Sequence, residues 1–299
     1  MPLKTRIRLP PPRLLTLDAF ETIYSPNPSV PEQYSTLHHK FFPSTPPLVP
    51  SAIATAFYTA FKARAKSHAN YKGGEQEWWF AVIRSTFTLA GGDVSGEVGD
   101  AFVNALFERF NGGIAYKLMP DITVFLDSVP KETRVGVLSN SDTRCREVLR
   151  SIGVLAGDES SGDQDGIVGH AWVEKNEDVV LSCEVGVEKP DPKMFKAAES
   201  LVSHDVGLSI NLVPGDAVTV ASKRLYWHIG DEVRKDVVGI LNNTSELPHW
   251  GAIYVRRTQG LETSPGGDVT LRHGGRVIEV GDLRDLLGLW STGIDVVIE

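Results

Sequence analysis

Four short segments carry the side chains able to do chemistry: LLTLDAFETI (14–23), VGVLSNSD (135–142), EVGVEKPDPKMF (184–195) and WHIGDEVRKD (227–236). Asp18 ends a short apolar run. A carboxylate at such a strand tip can attack a phosphoryl or carbon centre and form a covalent intermediate. An aspartate capping a turn through its own backbone would look the same. Gly230 permits a tight turn that aims Asp231 into a crevice, and Asp236 follows close by. A hard cation such as Mg2+ takes a few carboxylate oxygens and otherwise keeps its waters. Two solvated acids at a helix start are the plain alternative, since the helix dipole favours them there. Lys189 stands beside Pro190 and Pro192, which stiffen the loop. A fixed ammonium there would offset clustered carboxylates and a bound anion; an exposed lysine before a helix is the plain reading. Ser139 and Asn140 follow the run VGVL, where a hydroxyl and backbone N–H groups at a helix start can hold phosphate oxygens or simply cap the helix. Thr22 joins them as a candidate phosphate contact.

These residues need elements that bring them together. Segment 13–17 reads as a buried parallel strand. Tyr24–Pro31 carries three prolines and breaks regular structure. From Glu32 to about Phe110 the pattern is helical: Ala52-Ile53, Ala56-Phe57 and Ala60-Phe61 recur at four-residue steps, followed by Trp78, Val82, Phe87 and then Phe102, Leu106, Phe110. Strand–helix alternation resumes near Pro120. A helix is expected over Ile122–Leu126 with Pro120 and Asp121 as start signals, then strand Val135–Leu138, helix Thr143–Ile152, strand Val179–Leu181, helix Pro192–Val202, strand Leu225–Ile229, a helix from Asp236, and strand Ala252–Val255. Such alternation implies βαβ units and an α/β, doubly wound parallel sheet, whose ligands sit beyond the carboxyl ends of the strands. Residues 156–178 read as a flexible polar insertion, and Gly260–Gly275 as a Gly-rich connection. In the helical block, His68, Asn70 and Tyr71 before Gly73-Gly74 form a polar cluster able to close over a substrate. The Trp78-Trp79 pair reads as core, with one ring inward and one against the sheet. His38 and His39 read as surface histidines.

The order and spacing of the four segments resemble the four motifs of the haloacid dehalogenase (HAD) superfamily, and the helical block after the first resembles its inserted cap. The resemblance spans roughly residues 13–255 and looks closest to the eukaryotic haloacid dehalogenase-like hydrolases. It implies a Rossmann-like core over 1–25 and 116–299 with a helical cap over 26–115. It implies Asp18 as nucleophile, and Mg2+ held by Asp18, the backbone carbonyl of Phe20 and Asp231. Asp236 would be nearby, on the metal or its water or holding Lys189. One departure matters: phosphatases of this superfamily carry a second aspartate two positions after the nucleophile, where this chain has Phe20. A phenyl ring transfers no proton, and general acid–base catalysis contributes about 10²–10⁴-fold. Glu21 is the nearest carboxylate that could reach in from a turn; the alternative is a glutamate on a surface loop. Three functions therefore stand: a slow or atypical Mg2+-dependent hydrolase of a small phosphorylated or acidic substrate, a catalytically silent binding or scaffold protein of the same fold, and a 2-haloacid dehalogenase-like hydrolase. Phe20 suits the last, but no arginine lies between Arg13 and Arg64 to hold a halide.

Composition narrows the partners. The formal net charge of −8 argues against a phosphate backbone, so a small molecule is expected rather than a nucleic acid. No apolar run approaches the about 18 residues that cross a bilayer, so no membrane partner is expected. Cys145 and Cys183 give neither a disulfide framework nor zinc spacing. A cytoplasmic setting is the simple expectation. The basic, acid-free first seventeen residues are a faint mitochondrial signal that their prolines weaken, and a nuclear setting stands as a further alternative.

Overall fold

The computed structural model of the protein describes residues 4–157, 171–202, 221, 223–257 and 264–299. Its strands, in chain order, are β1 Lys4–Ile7, β2 Leu14–Leu17, β3 Tyr24–Pro26, β4 Tyr116–Leu118, β5 Arg134–Ser139 and β6 Val179–Leu181. They continue with β7 Tyr226–Gly230, β8 Trp250–Val255, β9 Thr270–Arg272, β10 Val277–Val280 and β11 Ile294–Ile298. Among the described residues the main sheet has nine strands in the order β1-β11-β9-β10-β8-β7-β2-β5-β6. The run from β10 to β6 is parallel throughout. Beyond it β9 pairs antiparallel with β10 and parallel with β11, and β1 closes the edge antiparallel to β11.

The central strands are mostly apolar because both faces are covered. Every residue of β2 and β7 is buried. Phe195, Trp250, Met194, Ile240 and Leu247 pack together in the core. Each such side chain contributes about 1.5–3 kcal/mol on leaving water.

The chain divides into two compact units. One comprises Met1–Ser25, Leu118–Asn140 and Ala171–Glu299; the other Pro26–Lys117 and Ser141–His170. The second is helical, with α1 Val30–Phe41, α2 Pro50–Ser67, α3 Glu75–Ala90 and α4 Gly96–Arg109. Its core joins Tyr34, Ile53, Phe87, Phe102 and Leu106. The fold is thus an α/β Rossmann-like core with an inserted helical cap domain. The remaining helices used below are α5 Ile122–Asp127, α6 Arg144–Ser151, α7 Ser182–Val185 and α8 Pro192–Glu199.

Several expectations are corrected. The proline-rich segment 24–31 is ordered: β3 pairs with β4, and α1 begins at Val30 because Ser29 and Glu32 form a capping box. His38 is buried, stacked on Phe87 at 5.0 Å, while His39 is exposed. The Trp79 ring stacks with the Arg144 guanidinium and donates Nε1–H to Asp142 at 2.6 Å. The polar insertion is shorter than 156–178, since Val173 and Asp178 are buried and Asn176–Asp178 forms a 3-10 turn; its segment 158–170 lies outside the described residues. The connection 260–275 contains β9, and its residues before 264 also lie outside them. The helix expected to start at Asp236 begins earlier, as a π-helical turn over Val233–Val237. The helix from Pro192 ends at Glu199 rather than Val202. Asp121 makes no cap bond to α5. The basic N-terminal segment supplies β1. No helix among the described residues is long and apolar enough to cross a membrane.

Candidate active site

The register of three parallel strands brings the acidic residues together. β2 lies between β5 and β7, with Leu17 beside Ile229. The Asp18 amide donates to the Ile229 carbonyl at 2.8 Å, which fixes where the chain leaves the strand. The Asp18 carboxylate accepts from the Ala19 amide at 2.9 Å. One carboxylate oxygen from each of Asp18, Asp231 and Asp236 falls within 4.8 Å of the others. These are three of the five acids that the first and fourth segments supply.

Lys189 is 2% exposed, and its Nζ lies 2.7 Å from Asp236 Oδ1 and 3.0 Å from Asp18 Oδ1. Burial alone would lower the lysine pKa, but the two carboxylates outweigh it and hold the ammonium above its ordinary range. Its backbone is anchored on both sides. The Asn140 Nδ2–H donates to the Lys189 carbonyl at 2.9 Å, and the Lys189 amide donates to Asn140 Oδ1 at 2.6 Å. The Asn140 side chain, expected as a phosphate contact, thus bonds both the N–H and the C=O of Lys189. Asp191 then caps α8 by accepting from the Lys193 amide at 2.9 Å, with Pro192 in the first helical turn. Ser139 is buried at the end of β5, beside Leu181 in the register.

Asp236 is the most committed of the acids. Oδ1 faces Lys189 and His228 Nε2 at 3.1 Å, and Oδ2 accepts the Glu232 amide at 2.9 Å. Burial opposes its ionisation, yet Lys189 and His228 together hold its pKa far below the usual carboxylate range. Gly230 is required there: a Cβ at that position would fall 2.2 Å from Asp236 Cγ. Asp231 is the opposite case. Among the described residues its side-chain partner is the Thr22 hydroxyl, from which it accepts at 2.9 Å. Burial and the neighbouring Asp18 charge push its pKa up to about 7. Thr22, expected at a phosphate, is thus bonded to a carboxylate.

Phe20 is 45% exposed and edge-on to Tyr24 at 6.4 Å. Glu21 has φ 59°, is half-buried, and its pKa is raised by burial against the pull of Arg257. In the helical unit, the His68 carbonyl accepts Trp78 Nε1–H at 2.7 Å, and Asn70 and Tyr71 both have positive φ.

Sequence reasoning passed over two pairs. His228, wholly buried, has Nδ1 2.9 Å from the Thr16 hydroxyl, and burial then Lys189 lower its pKa. Polar residues inside LLTL and YWHIG were the available signal. The second pair is Asp121 and Arg257, joined by two bonds of 2.8 and 2.9 Å. Asp121 also accepts the Leu283 amide, and Arg257 donates to the Thr22 carbonyl at 3.1 Å. This buried pair fixes the loop that follows Asp18.

No family model matches the chain. A Saccharomyces cerevisiae protein, YMR130W, is 26% identical over 258 residues, covering 84% of this chain and 74% of that protein. Haloacid dehalogenase-like hydrolase domain-containing protein 3 of Xenopus laevis is 27% identical, covering 63% of this chain and 70% of its own length. Among solved structures, the HAD-hydrolase YfnB of Bacillus subtilis, in a magnesium-bound crystal form, superposes with a TM-score of 0.56 at 13% identity. That superposition covers 94% of this chain and 99% of that one. The defluorinating L-2-haloacid dehalogenase Rha0230 gives 0.53 at 14%, over 95% and 98%. A Rossmann-like core with an inserted helical cap, and acids converging at the strand ends, define a HAD-type fold. In fold the chain is similar to haloacid dehalogenase-type proteins, and in sequence it is similar to relatives named haloacid dehalogenase-like.

Proposed function

We propose that this protein is a Mg2+-dependent hydrolase that uses Asp18 as nucleophile on a small phosphorylated or acidic substrate, and that Phe20 makes it slow on ordinary phosphomonoesters. The observation that carries the reading is the convergence of Asp18, Asp231 and Asp236 within 4.8 Å, with the buried Lys189 ammonium against Asp18 and Asp236. The donor set fits a hard dication, being three carboxylates. Asp231, held partly protonated by its neighbours, is the acid that a cation would ionise. Asp18, Asp231 and the Phe20 carbonyl would hold the ion directly. Asp236 already takes three donors and would act from outside that shell. When bound, Mg2+ offsets charge on the transferring group.

The chain's own residues divide the remaining work. An Asp18 carboxylate oxygen bonds to phosphorus as the phosphorus–oxygen bond to the leaving alcohol breaks. The leaving alkoxide takes its proton from water, because Phe20 has none to give. Lys189 Nζ, 3.0 Å from Asp18, offsets developing negative charge. Water then cleaves the acyl phosphate, regenerating Asp18 and releasing phosphate. Ser139, at the end of β5, is the candidate hydroxyl for the phosphoryl oxygens. Phe20 also favours a second reading, a silent binding protein that keeps the fold and the cation.

One experiment separates the two. Wild type, Phe20→Asp and Asp18→Asn are compared on a broad phosphate-ester panel with Mg2+, alongside beryllium fluoride binding. The hydrolase reading expects trapping at Asp18 in wild type and none in Asp18→Asn. It also expects Phe20→Asp to gain about 10²–10⁴-fold. A folded Phe20→Asp variant with no gain, together with no beryllium fluoride binding, leaves the silent protein.

A further inference from the structure

The His228 imidazole does none of the work assigned above, yet it lies against the residues that do. It stands within β7 as the register partner of Thr16 on β2, with no part of it exposed. Nδ1 is 2.9 Å from the Thr16 hydroxyl. Nε2 is 3.1 Å from Asp236 Oδ1 and 3.4 Å from Lys189 Nζ. The neighbours decide where hydrogen sits. An ionised carboxylate only accepts and an ammonium only donates, so the shorter contact is a bond only if Nε2 carries hydrogen. The lysine already has better acceptors in Asp236 and Asp18. The Thr16 hydroxyl can donate or accept, so it satisfies Nδ1 in either charge state.

The surroundings explain why an apolar residue would not serve equally. The Phe195 ring lies edge-on at 5.5 Å. A phenyl would leave Asp236 Oδ1 with the lysine alone. As built, the carboxylate is held from three directions: His228, Lys189 and the Glu232 amide. Gly230 closes the remaining side.

We propose that Thr16 and His228 form a positioning relay: Thr16 fixes the imidazole, His228 Nε2–H fixes Asp236, and Asp236 thereby holds the Lys189 ammonium against Asp18. The relay's benefit to turnover rests on the hydrolase reading, whereas its hydrogen bonding does not. His228 and Thr16 are positioning residues that touch no substrate.

The relay is tested on the full-length chain in two ways. Nitrogen-resolved NMR of the wild-type imidazoles should show hydrogen on His228 Nε2, with that signal shifting in Asp236→Asn. A bare Nε2 overturns the proposal whatever the protein's activity. Steady-state kinetics on His228→Leu, His228→Gln and Thr16→Val use the best phosphate ester of the panel. Loss of an outer-shell partner costs about 10–100-fold. We therefore expect kcat of His228→Leu to fall about tenfold or more with KM within twofold. His228→Gln, which can still donate toward Asp236, should recover most of the loss, and Thr16→Val should lie between them. Unchanged kcat in a folded His228→Leu, or a His228→Gln variant as slow as His228→Leu at equal stability, overturns it. A wild type with no turnover but hydrogen on Nε2 sinks the hydrolase reading and leaves the relay's bonding intact.

Discussion

Asp231 makes the metal reading testable by stability alone. Its carboxyl is raised from 3.8 to about 7 by burial and by the Asp18 charge. Between those two pH values the folded chain holds a proton that the unfolded chain has released. Stability must then fall as pH rises through that window. A shift of about three units corresponds to at most about 4 kcal/mol at 1.36 kcal/mol per unit. Partial exposure to solvent screens this, so about 2–4 kcal/mol is expected. Asp231→Asn keeps an acceptor for the Thr22 hydroxyl and mimics the protonated acid. The assay is urea unfolding in EDTA from pH 4 to 8. Wild type and variant should match near pH 4, and the variant should become the more stable by about 2–4 kcal/mol above pH 7. Added Mg2+ should stabilise wild type above pH 7 by mass action and leave the variant almost unmoved. A stability difference that stays flat across the window, or a wild type that is the more stable of the two at pH 8 without metal, would refute the reasoning.

Further outcomes follow from the same geometry. Gly230→Ala places a Cβ 2.2 Å from Asp236 Cγ and Oδ2, so the carboxylate must leave Lys189. A destabilisation of about 1–3 kcal/mol with lost turnover is expected. Gly281→Ala, which meets nothing within 4 Å, is the control and should stay within about 0.5 kcal/mol on thermal unfolding. Arg257→Met leaves Asp121 buried and unpaired. Denaturant titration should show a loss of about 3–5 kcal/mol, and beryllium fluoride binding should weaken as the Thr22 loop loosens.

What could be read from the chain depended on whether position or pairing carried the information. Asp18, Lys189, Asp231 and Asp236 were legible because each follows an apolar strand or sits in a proline- or glycine-marked turn, and strand ends of a doubly wound sheet converge on one edge. The bonding of the Asn140 side chain to the Lys189 backbone was not legible, because an amide serves a phosphate or a backbone group equally well. His38 was misjudged beside His39 because neighbouring residues point to different sides of a helix. β1 was missed because a short strand at a sheet edge carries little alternation: it buries only its last residue. Asp121 and Arg257 are 136 residues apart, and no periodicity links them. The Thr16–His228 contact was closest to legible. Two polar side chains interrupt two strands that are otherwise apolar, and burial of a polar group demands a partner. Once β2 and β7 are taken as parallel neighbours in register, each is the other's partner. Fully buried strands therefore deserve to be searched for polar residues in matching positions, because such pairs report register before any coordinates do.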